Sequence, residues 1–143
     1  MPIVDILEEV EKLKIDLENL SVKDLEAEMR AGSDVLLIDI REVQELVDLG
    51  TIPGSHHVPR GMIEFWASPT SPYYRDYFTE EKRIVVFCAG GGRSALAARD
   101  LKAMGFGRVG HLEPGFNGWV KEGGGVEDFA ATSRWVRRAE QYE

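Results

Sequence analysis

Short apolar runs that alternate with helix-like segments are the feature that most limits the fold of this chain. The runs VLLIDI at residues 35–40 and RIVVFC at residues 83–88 are rich in branched aliphatic side chains, and a helix-like pattern follows each. Such runs predict buried strands, and RVGHL at residues 108–112 predicts a third. Strands that alternate with helices pair in parallel and are covered on both faces. We therefore expect a three-layer α/β/α domain with a small parallel sheet.

Both ends of the chain are expected to add helices to this domain. Near the N-terminus, apolar residues recur at alternating spacings of three and four, at Ile3, Ile6, Val10, Leu13, Leu17 and Leu20. This stripe predicts an amphipathic helix over residues 1–20, which either docks on the domain or forms a homodimer through residues 3–20. The domain is expected over residues 21–127, and a helical tail over residues 128–143. The tail is expected to dock through Phe129, Trp135 and Val136.

Local signals predict where several helices begin and end. Ser21 with Asp24 three residues later has the pattern of a capping box at a helix N-terminus. Gly50 and Gly105 each follow a helix-like segment, and glycine is the residue that most often ends a helix. The proline-rich and aromatic segment 69–82 predicts a long loop.

Composition excludes several classes of function. The net charge is −8 over 143 residues, and an acidic surface disfavours nucleic acid and anionic membranes as partners. A single cysteine excludes an intramolecular disulfide and a thiolate zinc cluster. The N-terminus lacks a signal-peptide pattern, and no apolar run approaches the ~20 residues of a membrane span. We expect a cytoplasmic protein in a reducing compartment.

The carboxyl ends of the predicted strands carry the residues of chemical interest. Ligands of open parallel sheets bind beyond these ends. Cys88 ends one strand and Asp39 ends another, so both are expected at the same edge of the sheet. Of the three histidines, His56 and His57 fall on a predicted short strand, SHHVP at residues 55–59, and His111 falls on the strand at residues 108–112. They are scattered, which favours core or surface positions over a metal site.

The segment CAGGGRS, residues 88–94, joins a predicted strand to a predicted helix. A loop of this kind directs successive amide N–H groups inward, and its glycines permit the backbone angles that such a ring needs. A sulfur atom at its centre is favoured as thiolate, and Arg93 adds a positive charge or holds the loop through an ion pair. These residues alone leave two interpretations of Cys88 open, a nucleophile and a buried core cysteine.

Three motifs carry a resemblance to a known family. C-x-x-G-x-R-S, at Cys88, Gly91, Arg93 and Ser94, resembles the active-site loop of the rhodanese-like domains, which include single-domain sulfurtransferases. An upstream segment is similar through Asp39, Arg41, Glu45, Gly50, Ile52, Pro53, Gly54, Pro59, Arg60 and Gly61. A downstream segment is similar through Leu112, Gly115, Phe116 and Trp119. Departures from the family pattern occur at Thr51, Ser55 and Pro114, all outside the cysteine loop.

The resemblance implies a parallel sheet of about five strands, and a sulfurtransferase that needs no metal or organic cofactor. Cys88 would take sulfane sulfur from a small donor, which is thiosulfate, a persulfide or a polysulfide. It would become a persulfide and pass the sulfur to a thiol or to cyanide. The resemblance makes Cys88 catalytic, and it implies that the substrate-binding residues are Ala89, Gly90, Gly91, Gly92, Arg93, Ser94 and Arg60.

Two rival functions follow from the same fold. Related domains that act on phosphate or arsenate have five residues between cysteine and arginine, whereas four lie between Cys88 and Arg93. The shorter loop favours a single sulfur over a tetrahedral oxyanion, and the absence of a second cysteine excludes an internal disulfide relay. The other rival is a non-enzymatic module that binds or senses sulfide or persulfide through Cys88.

The remaining charged residues near the predicted edge have a structural interpretation. We expect Asp39, Arg41 and Glu45 to form ion pairs that fix loops, with Arg41 and Glu45 paired across four residues. Arg60 is the one expected to contact substrate or partner. The loop has no cation other than Arg93, so we expect thiosulfate, a dianion, to be a poor donor relative to a persulfide or polysulfide.

Overall fold

A computed structural model describes residues 2–32 and 34–133. Within these residues, five parallel strands form one sheet in the order β1-β5-β4-β2-β3. The strands are β1 Glu18–Leu20, β2 Val35–Asp39, β3 His56–His57, β4 Arg83–Phe87 and β5 Val109–Leu112. The α/β class and the parallel sheet predicted from the sequence are confirmed.

Seven α-helices and one 3-10 turn connect or flank the strands in the described part of the chain. The helices are α1 Ile6–Lys14, α2 Val22–Arg30, α3 Val43–Leu49, α4 Ile63–Ala67, α5 Gly92–Met104, α6 Gly115–Lys121 and α7 Phe129–Thr132, and the 3-10 turn is Arg60–Met62. The Ser21–Asp24 capping box is present at the start of α2. Gly50 and Gly105 have positive φ after α3 and α5, where a side chain would be strained.

The sheet separates two hydrophobic cores. On one face, Ile38 and Val86 pack with Leu101 of α5 and Ile63 of α4. On the other face, the side chains that meet come from β4, α2 and α6, and they include Val85, Phe87, Leu25 and Trp119. Alternate residues of β4 therefore enter opposite cores, and all five of its residues are buried. This arrangement is the three-layer α/β/α architecture, with β4 at its centre.

The N-terminal segment departs from the predicted single helix. The helix ends at Lys14, and Glu18–Leu20 form the edge strand β1, which pairs in parallel with β5. The Asn19 side chain donates hydrogen bonds to the carbonyls of Lys14 and Leu17, so it closes the turn between helix and strand. The prediction of one helix over residues 1–20 is therefore wrong beyond Lys14.

The later part of the apolar stripe of the N-terminal segment faces the domain, whereas its first two residues, Ile3 and Ile6, are exposed. Val10 is buried, Leu20 lies in a core and Leu17 packs against the other. Helix α1 packs on α5, as the docking alternative required. Leu7 and Ile15 are exposed, and a homodimer through residues 3–20 stays a prediction.

The C-terminal helix is described only at its start. Phe129–Thr132 form α7, and the Phe129 ring contacts the ring of His57 edge to face. Trp135 and Val136, and the rest of the predicted helical tail, lie outside the described residues. None of the helices that the structure describes is long and apolar enough to span a bilayer.

Candidate active site

The sheet brings Cys88 and Asp39 to the same edge, as expected from the sequence. Phe87, the last residue of β4, is in register with Asp39, the last residue of the neighbouring β2. Cys88 follows directly and is 1% exposed. The single cysteine therefore lies at the end of the central strand, at the floor of the loop that leads into α5.

Two backbone amides of this loop point at the cysteine sulfur. The Gly91 N–H donates to Cys88 Sγ over 3.1 Å, and the Ser94 N–H over 3.4 Å. Gly91 has φ +103° and precedes α5, whose 13 residues begin at Gly92. The positive end of that helix therefore lies at the sulfur, where amide donors and the helix dipole both favour a negative charge.

The carbonyl groups of the loop are held by the next helix. The N–H of Phe116 donates to the Cys88 carbonyl over 2.8 Å, and the N–H of Asn117 donates to the Ala89 carbonyl over 3.0 Å. Both donors belong to the first turn of α6. The loop is thus fixed from two sides, because α6 binds its carbonyls while its own amides bind the sulfur.

Gly91 and Gly90 offer a matched test of this packing. A Cβ on Gly91 would overlap the Glu113 carbonyl oxygen and would sit at a positive φ, whereas a Cβ on Gly90 meets open space. We expect Gly91→Ala to displace the amides at Cys88 and to slow alkylation of the thiol by iodoacetamide at least about tenfold. Gly90→Ala is expected to react like the wild type. Equal rates for the two variants would contradict the amide arrangement as the cause.

Arg93 forms an ion pair with Glu45, which is one of the two roles that the sequence left open for it. Its guanidinium donates to both oxygens of Glu45 over 2.8 and 2.9 Å. This contact lowers the pKa of Glu45 to about 2, with a further contribution from the Glu42 N–H, so the pair persists at neutral pH. The predicted Arg41–Glu45 pair is therefore wrong, because Glu45 instead reaches an arginine 48 residues away.

Arg41 is paired with Asp39 inside the domain. Both side chains are fully buried, and the guanidinium donates to the Asp39 carboxylate over 2.8 to 3.3 Å and to the Gly50 carbonyl over 2.7 Å. The Thr51 hydroxyl donates to the same carboxylate over 2.7 Å. The Arg41 guanidinium also lies 4.1 Å from the ring centre of Phe116, whose N–H holds the Cys88 carbonyl. Asp39 and Arg41 thus form a buried ion pair, and their assignment as structural rather than functional residues stays a prediction.

Arg60 pairs with carboxylates of two helices. It donates to Glu64 of α4 over 3.0 Å and to Asp100 of α5 over 2.5 Å. Its predicted contact with substrate stays a prediction. Among the residues that the structure describes, no group of three or more potential ligands comes together as a metal site.

The contacts of His111 are what sequence reasoning missed, although it assigned the histidines to core or surface positions. It is fully buried on β5, where its Nδ1 lies 2.9 Å from Ser94 Oγ and its Nε2 lies 2.7 Å from Asn19 Oδ1. Burial lowers its pKa to about 4. The available signal was a histidine in a strand predicted to be buried, since a buried polar ring needs partners for both nitrogens.

Comparison with known proteins assigns the chain to a family. The sequence pattern of the rhodanese-like domain matches residues 21–122. The chain belongs to the rhodanese-like domain family. The family resemblance noted in the sequence is therefore confirmed over most of the chain.

Individual relatives add names of two kinds. A sulfurtransferase of Allochromatium vinosum is 32% identical over 110 residues, which are 77% of this chain and 90% of that protein. A solved structure from Rhodopseudomonas palustris, of a protein of unknown function named a possible tyrosine phosphatase, is 42% identical with a TM-score of 0.81. It covers 89% of this chain and 99% of its own. A Bacillus subtilis relative, 28% identical over 104 residues, is only 51% covered by the match.

Proposed function

We propose that the protein is a sulfurtransferase in which Cys88 carries sulfane sulfur as a persulfide. The observation that supports this most is the pair of amide donors at the buried sulfur, Gly91 N–H and Ser94 N–H. The same donors that favour a thiolate favour the negative outer sulfur of a persulfide. The family and its sulfurtransferase-named relatives support the same chemistry.

The proposed cycle has two displacements at sulfur. The Cys88 thiolate attacks the sulfane sulfur of the donor, so a sulfur–sulfur bond to Cys88 forms while the bond to the donor breaks. The leaving group is the glutathione thiolate when glutathione persulfide is the donor, and sulfite when thiosulfate is the donor. The acceptor, a thiolate or cyanide, then attacks the outer sulfur, and Cys88 departs as thiolate. The chain has no second cysteine, so an external acceptor must discharge the persulfide.

A phosphatase is the alternative that the Rhodopseudomonas neighbour's name raises. Two observations oppose it. The loop has four residues between Cys88 and Arg93, which suits one sulfur rather than a tetrahedral oxyanion. Arg93 is also bound through both terminal nitrogens to Glu45, so its charge is compensated before any phosphate arrives.

Intact-mass measurement tests the proposal directly. Fully reduced protein incubated with polysulfide is expected to gain the mass of one sulfur, which dithiothreitol removes. The chain has one cysteine, so a reductant-sensitive gain locates the sulfur on Cys88 without a further variant. The same preparation is expected not to hydrolyse p-nitrophenyl phosphate. No gain with polysulfide or thiosulfate would favour a binding module, and phosphate release would favour the phosphatase.

The charge around the loop predicts a donor preference. Arg93 is neutralised by Glu45, and Ala89 and Gly90 add no charge. Thiosulfate therefore gains little local attraction as a dianion. We expect kcat/KM to be at least about tenfold higher for glutathione persulfide than for thiosulfate in steady-state assays with cyanide as acceptor. A higher value for thiosulfate would contradict this preference.

A sensor of sulfide or persulfide would use the same residues without turnover. With a persulfide as the source, displacement would move its sulfane sulfur to Cys88 and release the thiolate, and the amide donors would hold that sulfur until a partner binds the modified loop. Steady-state release of thiocyanate separates the two roles, because a sensor gains one sulfur and stops. A cytoplasmic location stays a prediction that the free thiol supports.

A further inference from the structure

A buried chain of hydrogen bonds leads from Cys88 through the sheet to the protein surface. Cys88 Sγ lies 3.5 Å from Ser94 Oγ, which lies 2.9 Å from His111 Nδ1. The other ring nitrogen lies 2.7 Å from Oδ1 of Asn19 on the exposed edge strand. Cys88, Ser94 and His111 are each at most 1% exposed. The proposed sulfur transfer does not require this chain of hydrogen bonds.

The direction of each hydrogen bond follows from the surface end. The Asn19 amide nitrogen donates to the carbonyls of Lys14 and Leu17 over 2.9 and 3.1 Å, so its oxygen faces His111. Oxygen is only an acceptor there, hence the hydrogen of the neutral ring is on Nε2. Nδ1 is then an acceptor, and the Ser94 hydroxyl donates to it. This leaves the Ser94 oxygen to accept the hydrogen of the Cys88 thiol.

We propose that His111 is a positioning residue that acts through Ser94 and holds the Cys88 proton while the sulfur is a thiolate. The Cys88 Sγ–H bond breaks while its hydrogen forms a bond to Ser94 Oγ. The hydrogen that was on Ser94 Oγ moves at the same time to His111 Nδ1. Thiol and imidazole become thiolate and imidazolium, so the net charge of the buried site does not change. The reverse transfer returns the proton when Cys88 is discharged. The inference deepens the proposed function, on which it rests for its role in turnover.

The charges around the chain are compatible with this transfer. With Cys88 as a thiol, burial keeps the pKa of His111 at about 4 and the ring neutral. Lys14 lowers that pKa further and Glu113 raises it, and these two side chains pair with each other over 3.3 Å. On the sulfur side, the charge of Arg93 is compensated by Glu45. A Cys88 thiolate is therefore not paired with Arg93. The negative charge of the thiolate instead stabilises an imidazolium at His111 in the same buried site.

Alkylation of the reduced protein by iodoacetamide across pH tests the relay. His111→Gln keeps an acceptor for the Ser94 hydroxyl but cannot take a proton, and Ser94→Ala breaks the chain. We expect both to raise the pH midpoint of the alkylation rate by about one unit or more, and to react at the wild-type rate at high pH. His56→Phe, on an exposed histidine outside the chain, is the control and is expected to keep the wild-type midpoint.

Two outcomes of this experiment would overturn the inference. A wild-type midpoint for His111→Gln would mean that an acceptor for Ser94 suffices. An equal loss of rate at every pH would mean that His111 has only a structural role. The alkylation assay does not involve sulfur transfer. Failure of the proposed function would be seen separately, as the absence of a mass gain of one sulfur.

Nitrogen NMR of histidine-labelled wild-type protein decides the question if the variants do not fold. At a pH where alkylation has reached its plateau, the reduced protein is expected to have hydrogens on both nitrogens of His111. After alkylation of Cys88 the same ring is expected to be neutral, with Nδ1 unprotonated. An identical nitrogen pattern before and after alkylation would overturn the proposal.

Discussion

Cys88→Ser is expected to reduce sulfur transfer to the uncatalysed rate, a loss of about 10³-fold or more. A hydroxyl at this position cannot carry sulfane sulfur and does not ionise near neutral pH. The substitution exchanges one buried atom, and the Gly91 and Ser94 N–H groups can donate to the hydroxyl oxygen. The fold is therefore expected to survive. Thiocyanate formation from glutathione persulfide and cyanide measures the loss, and thermal unfolding checks the fold.

A second variant separates the effect of the loop around Cys88 from the effect of a thiol by itself. Thr70 is exposed in the loop between α4 and β4, so Thr70→Cys in the Cys88→Ser background supplies an ordinary surface thiol. We expect no recovery of turnover, because no amide pair or helix terminus stabilises a thiolate there. Turnover restored by the surface cysteine would contradict the role assigned to the buried loop.

The sequence was sufficient for the three central strands of the sheet and for the position of the cysteine. Within the runs at residues 35–40 and 83–88, residues 35–38 and 84–88 are apolar at every step, which is what a strand covered on both faces requires. Their carboxyl ends then place Asp39 and Cys88 together by topology alone. The glycines of the loop likewise indicated unusual backbone angles, and Gly91 adopts one with φ +103°.

Strand β1 was missed for a physical reason. It has three residues, and two of them are exposed because it lies at the edge of the sheet. Leu20 points inward whether the segment continues as a helix or turns into a strand, so the spacing of apolar residues did not distinguish the two. What ends the helix is the Asn19 side chain, whose two hydrogen bonds to backbone carbonyls have no pattern in the sequence.

The partners of charged and polar side chains depend on the folded arrangement. Glu45 had a local candidate in Arg41, yet Arg41 is buried with Asp39 and Glu45 pairs with Arg93 on another element. His111 and Ser94 are 17 residues apart and meet because β5 lies beside β4. Short-range spacing rules describe helix surfaces, and they do not reach pairs that sheet topology brings together.

Asp39→Asn is expected to cause the largest loss of stability, about 3–5 kcal/mol in the free energy of unfolding. The exchange removes the charge that compensates the fully buried Arg41 guanidinium and alters the acceptor of the Thr51 hydroxyl. An uncompensated charge in the interior is costly, because protein neighbours replace water poorly around it. Urea denaturation at a fixed protein concentration measures the change, which corresponds to a fall in Tm of roughly 10 °C for a domain of this size.

Two comparisons determine whether burial is the cause. Glu8→Gln breaks the exposed Glu8–Lys12 pair, in which both side chains are 65% exposed, and is expected to cost less than about 1 kcal/mol. The double variant Asp39→Asn, Arg41→Met removes the buried charge as well, so it should be more stable than Asp39→Asn alone. A double variant no more stable than Asp39→Asn would mean that the loss arises from packing or from Thr51.

The Arg41 guanidinium also packs on Phe116, whose N–H holds the Cys88 carbonyl. The double variant is therefore expected to recover stability while the thiol still reacts more slowly than in the wild type.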